Sequence, residues 1–115
     1  MSGDDEPRVV RLANEYLAWF RRWERWLRRW PRTWDQIEGA ASSIVANLGE
    51  ALDSETMPQK RKYFGYAKAS AGEAVKLVEA AVGSDMLPAE AGREARKLLR
   101  DIRWDIVRLI RWTRR

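Results

Sequence analysis

The chain has 115 residues, with 22 Lys and Arg against 17 Asp and Glu, and neither cysteine nor histidine; that length predicts one domain. Without cysteine there is no disulfide framework, thiolate nucleophile or sulfur-built zinc site, and without histidine the usual general base and the commonest metal ligand are gone. The charge of +5 is uneven, since residues 36–90 hold five basic and eight acidic side chains and residues 91–115 hold nine and three; such a basic end points to a polyanionic partner, either nucleic acid or an anionic membrane surface.

Residues 1–7, Met1-Ser2-Gly3-Asp4-Asp5-Glu6-Pro7, are acidic and polar and are expected to be a disordered N-terminus ahead of one domain over 8–115. They are the opposite of a secretory n-region, and no apolar run approaches the ~20 residues of a membrane span, so a cytoplasmic location is expected. A first helix is predicted from just after Pro7 to Trp30, where Pro31 disfavours the helical conformation of the residue before it. Its apolar residues Val9, Leu12, Tyr16, Trp19, Trp23, Trp26 and Trp30 advance by alternating steps of three and four, a heptad seam that assigns the tryptophans to the core.

Thr33-Trp34-Asp35-Gln36 has the form of a capping box for a second helix. Its seam is Ile37, Ala41, Ile44, Leu48 and Ala51, and Trp34 covers the bundle end. After a polar connection, a third helix is predicted from about Gln59 to Val82, with Tyr63, Ala67, Ser70, Ala74, Leu77 and Ala81 inward. Gly65, Ala69 and Gly72 form a neighbouring stripe where a helix could approach closely, and Gly83 suits a left-handed C-terminal cap. Pro88 fits the first turn of a fourth helix, whose seam is Ala95, Leu98 or Leu99, Ile102, Ile106, Leu109 and Thr113. The prediction is an all-α fold, an antiparallel up-down-up-down four-helix bundle.

The segment Gln36-Ile37-Glu38-Gly39-Ala40-Ala41-Ser42-Ser43-Ile44-Val45-Ala46-Asn47-Leu48-Gly49-Glu50 resembles the helix 2 pattern of the bacterial four-helix proteins encoded in 23S rRNA intervening sequences. Tyr63-Phe64-Gly65-Tyr66-Ala67-Lys68-Ala69-Ser70-Ala71-Gly72-Glu73 is similar to a second segment of that family, with Tyr63 in place of its phenylalanine. Val45 stands where the family usually has proline, Ala51 where it has glycine, and Ala69 where a glycine precedes the serine. The same superfamily includes the accessory variability determinant of diversity-generating retroelements, a basic pentameric barrel that binds nucleic acid and a reverse transcriptase. The resemblance implies a homo-oligomeric barrel, most often a pentamer, with no enzymatic activity and no cofactor. Helix 2 favours the intervening-sequence branch, whereas the pI of 10.0 and the arginine-rich ends look more like the retroelement branch.

The residues expected to bind phosphate are Arg21, Arg22, Arg25, Arg28 and Arg29 of helix 1, and Arg93, Arg96, Lys97, Arg100, Arg103, Arg108, Arg111, Arg114 and Arg115 of helix 4. Guanidinium groups pair bidentately with phosphate, and if helices 1 and 4 are neighbours the two sets can merge into one surface. The competing reading is a solvated face with pairs such as Lys97 with Asp101 and Asp105 with Arg108, which leaves most arginines unpartnered. Trp104 and Trp112 fall off the helix 4 seam; they suit a subunit interface first, with edge-of-core packing and base stacking as the other readings. Asn47 and Glu50, three apart on helix 2, suit a buried hydrogen bond or a polar contact between protomers, with Ser43 able to join. No acid or base is spaced to make Glu50 catalytic, and no cluster of oxygen ligands suggests a metal.

These observations predict a non-catalytic, homo-oligomeric, nucleic-acid-binding scaffold, an accessory to a reverse transcriptase. Two other readings stay open. One is an intervening-sequence protein that binds only another protein; the other is a membrane-surface helix built on Trp19 to Trp30.

Overall fold

The structure is a computed structural model that describes residues 6–115. The expected disordered N-terminus, as far as it concerns residues 1–5, lies outside the described residues. Four helices and no strand are found among the described residues: α1 (Arg8–Leu27), α2 (Pro31–Asp53), α3 (Met57–Gly83) and α4 (Ala89–Thr113). They form a four-helix bundle in which α1 packs against α2 and α4, and α3 packs against α2 and α4. None of these helices is long and apolar enough to cross a membrane.

Helix ends follow local chemistry, with corrections to the predicted bounds. α1 stops at Leu27, three residues early, and Trp30 takes a non-helical conformation (φ −127°, ψ 82°) as the N-cap of α2. Pro31 is preorganised for the first helical position, so α2 starts two residues before the predicted capping box. Thr33 therefore caps nothing; its hydroxyl donates instead to the Met86 sulfur at 3.3 Å. The working cap is at α3, where the Thr56 hydroxyl accepts from the Gln59 amide at 3.3 Å. Gly83 is the last residue of α3 and does not adopt a left-handed conformation; Asp85 does, at φ 61°. The Asp85 amide bonds the Val82 carbonyl at 3.1 Å and the Met86 amide bonds Ala81 at 2.8 Å, a Schellman ending with aspartate where glycine is usual.

The core stripe of α1 is Val9, Leu12, Ala13, Tyr16, Trp19, Phe20 and Leu27. Of the predicted tryptophan seam only Trp19 is fully buried; Trp23 and Trp30 are half-buried and Trp26 is 45% exposed. A heptad repeat drifts by about 20° per heptad on a straight helix. Leu27 returns to the direction of Val9 after about five turns of 3.6 residues and takes the inward place. In α3 the buried stripe is Phe64, Ala67, Ala71, Ala74, Val78 and Ala81. The predicted Tyr63, Ser70 and Leu77 are only half-buried, one position before the inward residues. Nor do Gly65 and Gly72 admit a partner helix: a methyl at Gly65 would meet nothing within 4 Å, and one at Gly72 would meet only the Arg103 guanidinium at 3.9 Å. The close approach is at Gly92, where an added Cβ would lie 2.6 Å from Val82 Cγ2.

Candidate nucleic-acid interface

The inward residues of α4, Ala91, Gly92, Ala95, Leu99, Ile102, Ile106 and Thr113, occupy one side of the helix. Its other faces are basic, and along the side nearest α3 they form a groove of about 810 Å³. α4 supplies Arg93, Arg96, Lys97, Arg100, Arg103, Trp104, Val107 and Arg111; α3 supplies Lys68 and Val75. Seven of these lining side chains are cationic and none is a carboxylate. Trp104 is 68% exposed. Val75 and Val107 are half-buried and add an apolar part to the lining, Val75 being packed against the core. The Arg103 guanidinium lies against α3 at Gly72, 3.9 Å from where a Cβ would stand.

No carboxylate lines the groove, and two acids of α4 turn toward α1. Glu94 bonds Arg22 of α1, and the buried Asp105 accepts from Arg108 and lies 3.8 Å from Arg8 of α1. Asp101 pairs with Arg100 at 3.6 Å rather than with Lys97, which corrects one of the two pairs the spacing suggested. The other, Asp105 with Arg108, forms.

Of the fourteen cations named from the sequence, the groove takes in only part. Six line the groove: Arg93, Arg96, Lys97, Arg100, Arg103 and Arg111. Arg108 is held by Asp105, and Arg114 and Arg115 are exposed at the end of α4. No α1 residue lines the groove. Arg22 is ion-paired, Arg28 lies 3.7 Å from Glu24 and 6.0 Å over the Trp34 ring, and Arg21, Arg25 and Arg29 are exposed. The pairs Arg8–Asp105 and Arg22–Glu94 link α1 to α4.

Trp112 is 45% exposed, outside the groove lining. The Asn47 amide donates to the Ser43 carbonyl at 2.8 Å and its hydroxyl at 3.2 Å, and the Ser43 and Ser70 hydroxyls are 2.7 Å apart across α2 and α3. Glu50 is exposed and lines a second hollow with Asp53, Ser54, Glu55, Thr56, Gln59 and Tyr63. Among the described residues no group of acids is arranged to hold a metal ion. Lys68 and Val75 escaped the sequence reading. Their signal was the spacing of Gly65, Lys68, Gly72 and Val75 at steps of three, four and three, a single stripe of α3.

The family model of the 23S rRNA-intervening sequence protein matches residues 29–107. The chain belongs to the 23S rRNA-intervening sequence protein family. No curated protein and no solved structure matches the chain. Within this family member the matched segment holds α2, α3 and most of α4, and with them the groove apart from Arg111, while all of α1 lies before it.

Proposed function

We propose that the chain is a non-catalytic scaffold that binds nucleic acid through the α3–α4 groove. The observation that carries this reading is a lining of seven cations without one carboxylate. From Arg93 to Arg111 the cations extend over about 27 Å of helix at ~1.5 Å per residue, longer than one phosphate needs and suited to a chain of them. Each phosphate neutralised by arginine or lysine releases condensed counterions, so binding of this kind is salt-sensitive.

In this reading the helices run antiparallel, up-down-up-down, which accords with Arg8 lying by Asp105 and Trp19 bonding Ala91. Copies of the bundle associate into a homo-oligomeric barrel, a pentamer by resemblance, and work in the cytoplasm. A reverse transcriptase of a diversity-generating retroelement is the partner protein that the basic charge and the resemblance together suggest.

The test is fluorescence anisotropy of a labelled structured RNA across a salt series. With four or more phosphate contacts, affinity falls at least about thirty-fold between ~50 and ~200 mM salt. No binding at low salt contradicts the proposal and leaves a module that binds only protein.

A further inference from the structure

We infer that the α3–α4 groove selects single-stranded over duplex nucleic acid, with Trp104 as the platform on which an unpaired base stacks. The inference rests on the nucleic-acid reading above and adds to it the form of the ligand. Trp104 is the most exposed of the large apolar side chains, at 68%. It stands inside the groove rather than beside it, in a lining shared with Arg100, Arg103, Val107 and Arg111 of α4 and Lys68 of α3. A solvent-facing indole among guanidinium groups offers a π face at the place where phosphates are held. Base–aromatic stacking needs the face of a base, which every unpaired base presents and a duplex presents only at its two ends; along its length a duplex offers this groove its phosphates alone.

Charge also argues against the same groove of a second copy as the occupant of Trp104. Groove-on-groove pairing would desolvate charges of one sign with nothing to pair them, which is strongly unfavourable. A polyanion carrying flat apolar groups satisfies both halves of the groove, the cations and the indole.

The experiment compares a labelled oligouridine and an oligothymidine of about twelve nucleotides, within the usual range of single-strand site sizes, with a blunt RNA duplex of equal length. The wild-type chain is expected to bind both single strands more tightly than the duplex. Trp104→Ala is expected to weaken single-strand binding about 5- to 100-fold, the loss of one stacked base, with the salt slope and the duplex affinity unchanged. Trp104→Phe keeps a π face and retains most of the affinity. The fluorescence difference between wild type and Trp104→Phe isolates the Trp104 signal, which the oligonucleotide quenches.

Unchanged single-strand affinity in Trp104→Ala overturns this inference. If Arg100→Glu with Arg103→Glu still abolishes binding in that experiment, the nucleic-acid reading stands without it. A native mass that falls in Trp104→Ala places the indole between protomers and also overturns the inference. Absence of wild-type binding to all three probes overturns both readings together.

Discussion

At the scale of single residues the core carries a recognisable defect. The Tyr16 hydroxyl and the indole N–H groups of Trp23 and Trp34 are buried without a hydrogen-bond partner. The Trp19 indole, by contrast, donates to the Ala91 carbonyl at 2.9 Å. Tyr16 is stacked on Trp19, with ring centroids 5.3 Å apart, and burial pushes its hydroxyl pKa above the ordinary 10.0. A buried donor left unmade costs about 1–3 kcal/mol. Tyr16→Phe, which keeps the ring and removes the hydroxyl, should therefore stabilise the protein by about 1 kcal/mol, read as a thermal midpoint higher by about 4 °C.

The same tyrosine predicts a pH effect. Its folded-state pKa is raised, so its contribution is intact below 10.0 and is lost as the pH rises beyond that value, where the unfolded chain ionises first. Tyr16→Phe should flatten that alkaline loss, checked by melts at neutral pH and above pH 10. Gly92 gives a second residue-scale prediction. Gly92→Ala gains about 1 kcal/mol of helix propensity but forces a Cβ against Val82, an overpacking cost of about 1–3 kcal/mol. Alone it should lower the midpoint; in a Val82→Ala background, where the obstructing methyl is gone, the same change should raise it.

At the scale of elements, the caps separate what pattern implies from what geometry allows. Thr56→Ala removes a hydroxyl that accepts the Gln59 amide and should cost about 1 kcal/mol. Thr33→Ala should cost much less, because Thr33 lies inside the first turn of a helix that Pro31 has already started. Chemical denaturation of the two variants checks the contrast. The C-terminal ends of α2 and α4 both meet cations of α3: Lys60 donates to the Ala51 and Leu52 carbonyls at 3.1 Å, and Arg61 donates to the Thr113 carbonyl at 3.0 Å. These cations also complement the negative ends of the helix dipoles.

Four helices and three connections were legible in the sequence because Pro31, Pro58 and Pro88 punctuate heptad runs. Which face turns inward was less so. In α3 the stripes through Tyr63 and Phe64 are both apolar and adjacent, and only packing against α2 and α4 together selects Phe64, Ala71 and Val78. In α1 the tryptophans at strict heptad spacing outlast the true inward stripe, which passes to Phe20 and Leu27.

At the scale of the molecule, charge is segregated by ion pairing. Glu94 and Asp105 turn to the arginines of α1, and the groove beside α3 keeps its cations. The arginines of α4 were visible as a basic run in the sequence, but which of them line the groove was not. That depends on how α4 packs on its neighbours, and no spacing within one helix records it. Lys68 was equally invisible, because its role comes from the neighbour α3 presents to α4.

The measurement that tests the central claim most directly compares two charge reversals in RNA binding by anisotropy at fixed low salt. Arg100→Glu with Arg103→Glu removes cations from the groove, and Arg21→Glu with Arg25→Glu removes as many exposed cations from α1. The account predicts that the groove pair loses binding by orders of magnitude while the α1 pair changes it only modestly, through the net charge. Equal losses from the two pairs, or a larger one from α1, would contradict the groove as the binding surface.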